Sequence, residues 1–207
     1  MSLIFLYNLW SFRNELKLVA FSIIILLLLP IIAVIILTNA GIDIVSDKLA
    51  TVNATTQSVQ IHDPLTGNII SEISSAMEWP VAGTVTLEFG ESDWPYQPFH
   101  TGIDIANPQG KIGDPIIPFM EGIVTYAGEI FWGFGKYIMI DNGNNITSIY
   151  AHLSSIYVYK GEKVVLGQVI GREGSTGWST GPHLHFQIDV FGIPVNPRTF
   201  LGDGNLN

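Results

Sequence analysis

The chain has 207 residues, 47% of them hydrophobic, with nine basic and eighteen acidic side chains for a formal net charge of −9. That length allows one domain with a real core plus additional segments, and the acidic balance argues against a nucleic-acid partner, which calls for basic patches. There is no cysteine, so an exported domain would rest on packing or on a bound metal and not on disulfides.

In chain order, residues 1–17 form a short leading segment that carries Arg13 and Lys17. The stretch 18–37 then reads LVAFSIIILLLLPIIAVIIL, without a charge. At about 1.5 Å per residue such a helix spans about 30 Å, the thickness of a bilayer's hydrocarbon core. Residues 18–38 are therefore expected to form a single-pass membrane anchor, in which Pro30 is tolerated. The alternative is a cleaved signal peptide ending at Thr38-Asn39-Ala40, although the apolar region exceeds the usual ~7–15 residues. Arg13 and Lys17 precede the run, opposed by Glu15, whereas Asp43 and Asp47 follow it with Lys48 as the only nearby cation. The positive-inside rule then keeps the N-terminus cytoplasmic and puts the remainder on the extracytoplasmic side of the cell membrane.

Residues 39–78 are rich in Thr, Asn, Ser, Asp and Gln without a sustained apolar period, which is linker composition with room for a short strand or helical turn. As a flexible chain it would reach about 35 Å, which would hold the working domain near the membrane. From Trp79 to Leu201 short β-rich runs alternate with Gly- and Pro-bearing turns: GTVTLEF, PIIPFMEGIVTYAG, KYIMID, ITSIYAHL, EKVVLGQVIG and HLHFQIDV. This spacing predicts an all-β domain, an antiparallel sandwich or half-barrel with a groove, followed by a tail at 202–207. No segment after residue 79 shows a 3.6-residue apolar period.

Three clusters carry the chemistry. In Gly181–Val190 alternate side chains of a strand share a face, so His183, His185, Gln187 and Asp189 line one side while Leu184, Phe186, Ile188 and Val190 line the other. The apolar row belongs in the core and the polar row is expected to face a groove. Two histidines about 7 Å apart on one face suit metal binding, histidine being the commonest metal ligand. In Phe99–Ala106, Ile103 and Ile105 flank Asp104 and turn it away from the core, and Gly102 allows a bend between His100 and Asp104. The third cluster is Tyr150–Ser154, with His152 at the end of a β-rich run. His62, in the linker, is expected to do nothing.

The sequence here resembles the lysostaphin-like zinc murein endopeptidases over roughly residues 79–201. The resemblance rests on H-x-x-x-D at His100 and Asp104, Y-A-H-L-S at 150–154, the block from Gly174 to Phe186 reading GSTGWSTGPHLHF, and the closing Pro194-Val195-Asn196-Pro197. It implies that His100, Asp104 and His185 bind one zinc ion and that His152 and His183 are the catalytic pair. The substrate it implies is peptidoglycan, cut in its cross-links or stem peptides. Three protein ligands leave the open position of a hydrolytic zinc site. H-E-x-x-H is missing, so a histidine and not a glutamate would accept the proton of the attacking water.

There are departures from the family pattern. Gln187 stands where a glutamate commonly follows H-L-H-F, the turn around Lys111–Asp114 is longer than usual, and Tyr96 is the candidate for a tyrosine that assists the oxyanion in some relatives. The rival reading is a peptidoglycan-binding protein or hydrolase activator of the same fold. Such members have lost metal ligands, whereas all five positions are present here. A phosphotransfer domain of related β fold would have no need of Asp104.

Overall fold

The computed structural model describes residues 3–92 and 98–202; within the first helix, side chains are described at 15–30, 33, 37, 38 and from 40 onward. Tyr96 and residues 203–207 of the expected tail lie outside the described residues. The chain forms two compact units, Met1–Gly41 and Ile42–Asn207.

The first unit holds most of α1 (Leu3–Leu49), which continues well beyond the expected 18–38 at both ends. From Leu18 to Leu29 its described side chains are exposed and, apart from Ser22, apolar around the whole circumference, such as Leu18, Phe21, Leu26 and Leu29. Residues 31, 32 and 34–36 of the apolar run lie outside the described side chains, and among the described residues no helix is long and apolar enough to cross a membrane.

The second unit begins with the last turns of α1, from Ile42. The segment read as linker is built differently from that expectation. It contributes Ser46 and Leu49 at the end of α1 and then a three-stranded antiparallel sheet of β1 (Ala50–Val52), β2 (Val59–His62) and β3 (Ile69–Ile73). The physical reason is a half-buried alternation too short to stand out in polar sequence. Val59 and Ile61 point inward while Gln60 and His62 are half exposed, and Leu49, Ala50 and Ile73 join the same core. Asp63 ties the β2–β3 turn by accepting the backbone N–H groups of Leu65 and Thr66. His62 is held between the Thr51 hydroxyl and the Gly67 carbonyl, a structural role.

The large sheet is antiparallel, as the strand and turn spacing predicts. Its order is β11 (Lys163–Val164), β7 (Gly122–Glu129), β8 (Lys136–Gly143), β9 (Ile146–Ala151), β13 (Leu184–Val190), β5 (Ile103–Ala106) and β4 (Thr84–Leu87), with β14 (Ile193–Val195) also on β13. β5 and β14 share one edge of β13 end to end, β5 pairing with Leu184–Phe186 and β14 with Ile188–Val190. A smaller sheet, β10 (Ser155–Ile156), β12 (Gly171–Arg172) and β6 (Pro115–Ile116), contributes Ile116 to the same core cluster, so one large sheet and two small ones stand in place of two matched layers. A short helix, α2 (Arg198–Leu201), adds Phe200. The β8–β9 hairpin turns on Asn144 and Asn145, both at positive φ (51° and 62°), the backbone of a primed turn that asparagine tolerates.

β9 and β13 lie at the centre and are buried almost throughout, so that β13 buries His185 and Gln187 of its polar row as well as its apolar row. Tyr150 shows what this centre demands. It is fully buried, burial pushes its phenol pKa up, and its Oη accepts the backbone N–H of Phe119 at 2.9 Å. Replacing Tyr150 with Phe keeps the ring and strands that N–H. The expected cost is about 1–3 kcal/mol in denaturant-induced unfolding, the penalty of an unsatisfied buried donor. A loss under about 0.5 kcal/mol, less than the net value of an ordinary hydrogen bond, would show that the bond does not support the core.

Candidate metal centre

Three neighbouring strands deliver the three clusters to one place. β5 pairs with β13 so that Asp104 faces His185, and β9 pairs with β13 on the other side so that Ala151 faces His185. Ile103 and Ile105 are fully buried on the far face of β5, which leaves Asp104 on the near face, as the alternation predicts. His100 reaches the site from the turn before β5, held by its N–H to Glu91 O (2.9 Å) and by its carbonyl, which accepts from Gly90 N–H (2.8 Å). Gly102 serves a different end from the expected bend. A Cβ there would sit 2.3 Å from the Phe186 carbonyl oxygen, so only glycine lets this turn lie against β13.

The polar atoms converge tightly. His100 Nε2 lies 3.0 Å from Asp104 Oδ1, His185 Nδ1 lies 2.9 Å from the same oxygen, and the two nitrogens are 2.9 Å apart. One ligand atom from each residue falls within 4.8 Å of the others, so this trio could hold a metal ion. The other ring nitrogens explain the arrangement. His100 Nδ1 faces the Glu88 carbonyl at 3.1 Å, and a carbonyl can only accept, so the proton sits on that side. His185 Nε2 faces Gln187 Oε1 at 3.5 Å. That amide oxygen also accepts the Thr101 hydroxyl at 2.6 Å, while Gln187 Nε2 donates to Asp189 Oδ1 at 2.7 Å. With both neutral rings protonated on the outside, two nitrogen lone pairs and a carboxylate oxygen meet with no proton among them. Such a convergence of acceptors suits a cation.

His152 and His183 stand beside this trio. Their ring centroids are 4.7 Å apart, and His183 Nε2 lies 3.6 Å from Asp104 Oδ2. Each is oriented by a carbonyl: His152 Nδ1 donates to Thr176 O at 2.8 Å and His183 Nδ1 to Gly181 O at 2.9 Å, leaving both Nε2 atoms free of that proton. His152 has φ 62°, an uncommon conformation for a non-glycine residue, and its backbone N–H is fixed to Phe134 O at 2.9 Å. The Phe134 ring stacks on His185 at 5.6 Å. A cavity of about 280 Å³ opens beside the histidines, lined by Thr86, Leu87, Asp104, Thr180, Pro182 and His183 among others.

Charge is arranged to match. Burial would raise the Asp104 pKa, but any positive charge that His100 and His185 bring to the centre, as a second ring proton shared with the carboxylate, outweighs it and holds the carboxyl well below the usual carboxylate range; a bound cation would take the place of that proton. Burial, reinforced by the neighbouring His183 and His185, pushes His152 down to about 4, so its imidazole is neutral at physiological pH.

All five residues singled out in the sequence are thus brought together. The polar row that runs from His183, just before β13, into the strand is less open than expected. Its head, His183, reaches the cavity, but His185 and Gln187 are buried, Gln187 beneath the Thr101 hydroxyl. Sequence reasoning missed the backbone carbonyls of Glu88 and Thr176, the Thr101 hydroxyl and the Phe134 ring. Thr176 lies in the recognised GSTGWSTG block, which marks the loop but not the carbonyl; nothing marks Phe134.

Residues 98–197 match Peptidase family M23. The chain is 46% identical over 98 residues to the DD-carboxypeptidase/endopeptidase Mpg of Neisseria meningitidis, a match covering 47% of this chain and 22% of that protein. It is 39% identical over 127 residues to the murein hydrolase activator NlpD of Escherichia coli, covering 61% and 31%. The chain therefore spans less than a third of the length of these curated relatives. Among solved structures, the catalytic domain of the antimicrobial peptidase lysostaphin from Staphylococcus simulans is 32% identical with a TM-score of 0.53, covering 57% of this chain and 92% of that one. A zinc-containing peptidase from Vibrio cholerae is 29% identical with a TM-score of 0.55, covering 67% and 45%. A β unit of this fold, a His-Asp-His trio of this geometry and matches of this extent lead to one conclusion: the chain belongs to Peptidase family M23, the lysostaphin-like family.

Proposed function

We propose that this chain is a membrane-anchored zinc metalloendopeptidase that hydrolyses peptide bonds in peptidoglycan cross-links or stem peptides. The observation that carries the reading is the convergence of His100 Nε2, Asp104 Oδ1 and His185 Nδ1, each ring's proton committed to an outer oxygen. Two imidazoles and one carboxylate fit the donor set of a catalytic zinc site with an open position. When bound there, zinc supplies a Lewis acid that acidifies a water and polarises a carbonyl. His152, held neutral and with Nε2 unprotonated, accepts the proton of the attacking water. His183, its Nδ1–H held by Gly181 O, would act on the oxyanion or the leaving amine only as the imidazolium, with a second proton on the Nε2 that faces the site. Thr176 O keeps the proton of His152 on Nδ1, so that Nε2 stays available as base.

The match to NlpD favours a second reading, that of a hydrolase activator. Against it stands a chain in which no ligand or catalytic histidine is replaced. Membrane anchoring is supported by the uncharged run 18–37 and by the apolar side chains exposed along α1.

Three outcomes follow. Elemental analysis of the purified protein is expected to give one zinc per chain, lost when His100, Asp104 or His185 becomes alanine, because two donors hold the ion poorly. Full zinc in all three variants would remove the ligand set. His152→Ala and His183→Ala are expected to keep zinc and fold yet lose about 10²–10⁴-fold in the rate of muropeptide hydrolysis, the usual worth of a positioned acid or base. An activator predicts instead no hydrolysis by the wild type. In intact cells a tag after Asn207 is expected to be open to protease added outside the cytoplasmic membrane, with the N-terminus retained; a mature protein beginning near Gly41 would mean that the run is a cleaved signal.

A further inference from the structure

The β6–β12 ladder pairs Ile116 with Gly171 and Pro115 with Arg172. It runs one step further, because Glu173 N–H donates to Asp114 O at 2.9 Å. Glu173 and Asp114 therefore stand opposite one another, and side chains so opposed share a face with Cβ atoms about 4.5–5.5 Å apart, where like charges repel. Glu173 has no exposed surface, and neither of its carboxylate oxygens has a partner in full hydrogen-bond geometry; the backbone N–H of Asn107 lies near enough to ease the carboxylate but does not offset its burial. Burying an uncompensated carboxylate is among the costliest arrangements in a folded chain.

The nearest cation in sequence does not relieve it. Arg172 directs Nη1 to Gly113 O and Nε to the Tyr157 hydroxyl. Among the described residues neither acid forms an ion pair. The Asn107 side-chain amide donates to Asp114 Oδ2, which fixes that carboxylate. Burial and the charge of Asp114 push the Glu173 carboxyl up to about 7, so the pair as it stands favours whatever would neutralise it.

We propose that Glu173 and Asp114 form a second cation site, sharing no residue with the histidine centre, that takes a hard divalent ion of the calcium type. The available donors are carboxylate oxygens, which suit hard cations and not zinc. Asp114 is half-buried, which gives an ion access from the side of the exposed 108–112 turn. The position also gives the site a purpose. The Asn107–Asp114 turn follows the strand that carries Asp104, while Glu173 precedes Gly174, whose carbonyl accepts the backbone N–H of His183 at 3.0 Å. A cation between the two acids clamps together the segments that position one member of the metal trio and one of the flanking histidines.

The test uses the zinc-loaded full chain in detergent, in calcium-free buffer, titrated with calcium chloride by calorimetry and followed by thermal unfolding. One calcium per chain is expected, with a dissociation constant of about 10⁻⁴–10⁻³ M as in extracellular calcium modules, and a rise in Tm on addition. Glu173→Gln keeps the shape and removes the charge. It is expected to bind calcium at least tenfold more weakly and to show no calcium-dependent rise in Tm. In calcium-free buffer it should retain full zinc and melt no lower than wild type, because the opposed charges are gone. A wild type without binding or Tm change up to millimolar calcium would overturn the proposal and leave Glu173 as a buried neutral acid. Equal binding by Glu173→Gln would overturn it too, by placing calcium elsewhere. Should that variant fail to fold, Asp114→Asn at the half-buried partner makes the same comparison.

Discussion

The site depends on where three protons are not. His100 and His185 each give their single ring proton to an oxygen outside the centre, Glu88 O in one case and Gln187 Oε1 in the other, and Asp104 is held ionised. Three acceptors left facing one another at 2.9–3.0 Å repel unless positive charge lies among them. The surrounding fold maintains that opposition. β13 is clamped between β5 and β9, Gly102 lets the preceding turn lie against Phe186, and the Phe134 ring covers His185. Tertiary packing thus supports a local arrangement that would otherwise relax by protonation or by rotation of a ring.

Much of this is legible in the sequence because strand geometry converts spacing directly into direction. H-x-H on a strand puts His183 and His185 on one side. Asp104 between Ile103 and Ile105 must point opposite to two side chains that the core takes in, and it does. What is not legible is contributed by backbone or by distant segments. The carbonyls of Glu88 and Thr176 have no residue type to announce them, since any amino acid supplies a carbonyl. Phe134 reaches His185 across more than fifty residues of chain. The small sheet at 50–73 escapes composition for a related reason: its strands have three to five residues with only part of one face buried, so their few apolar positions are diluted by Thr, Asn and Ser.

Departures from the family pattern acquire meaning once the partners are visible. Gln187 in place of a glutamate keeps an acceptor oxygen beside His185 Nε2 but brings no charge, and it passes its own N–H on to Asp189. The His185 tautomer is then set by a neutral group, so the net charge of the centre rests on Asp104 alone. The long Lys111–Asp114 turn does not stand free as a groove wall, because Arg172 holds its Gly113 carbonyl and Glu173 its Asp114 carbonyl.

The last question is how two histidines that alternate from one strand come to different positions in the chemistry. Their neighbours along the chain decide it through the ring nitrogen each presents. His185 sits within β13, paired on both sides, and turns Nδ1, the nitrogen close to the backbone, toward Asp104 Oδ1. His183 sits just before the strand, where its backbone bridges to Gly174 and its Nδ1 is taken by the Gly181 carbonyl. Only the far nitrogen, Nε2, remains to face inward, and it stops 3.6 Å short of Asp104 on the opposite oxygen. A ring held in this way points at the edge of the trio and at His152, and away from its centre. The same period-two alternation that aims both side chains into one groove therefore yields a buried donor and a groove-facing one, because one lies inside the ladder and the other lies in the turn that enters it.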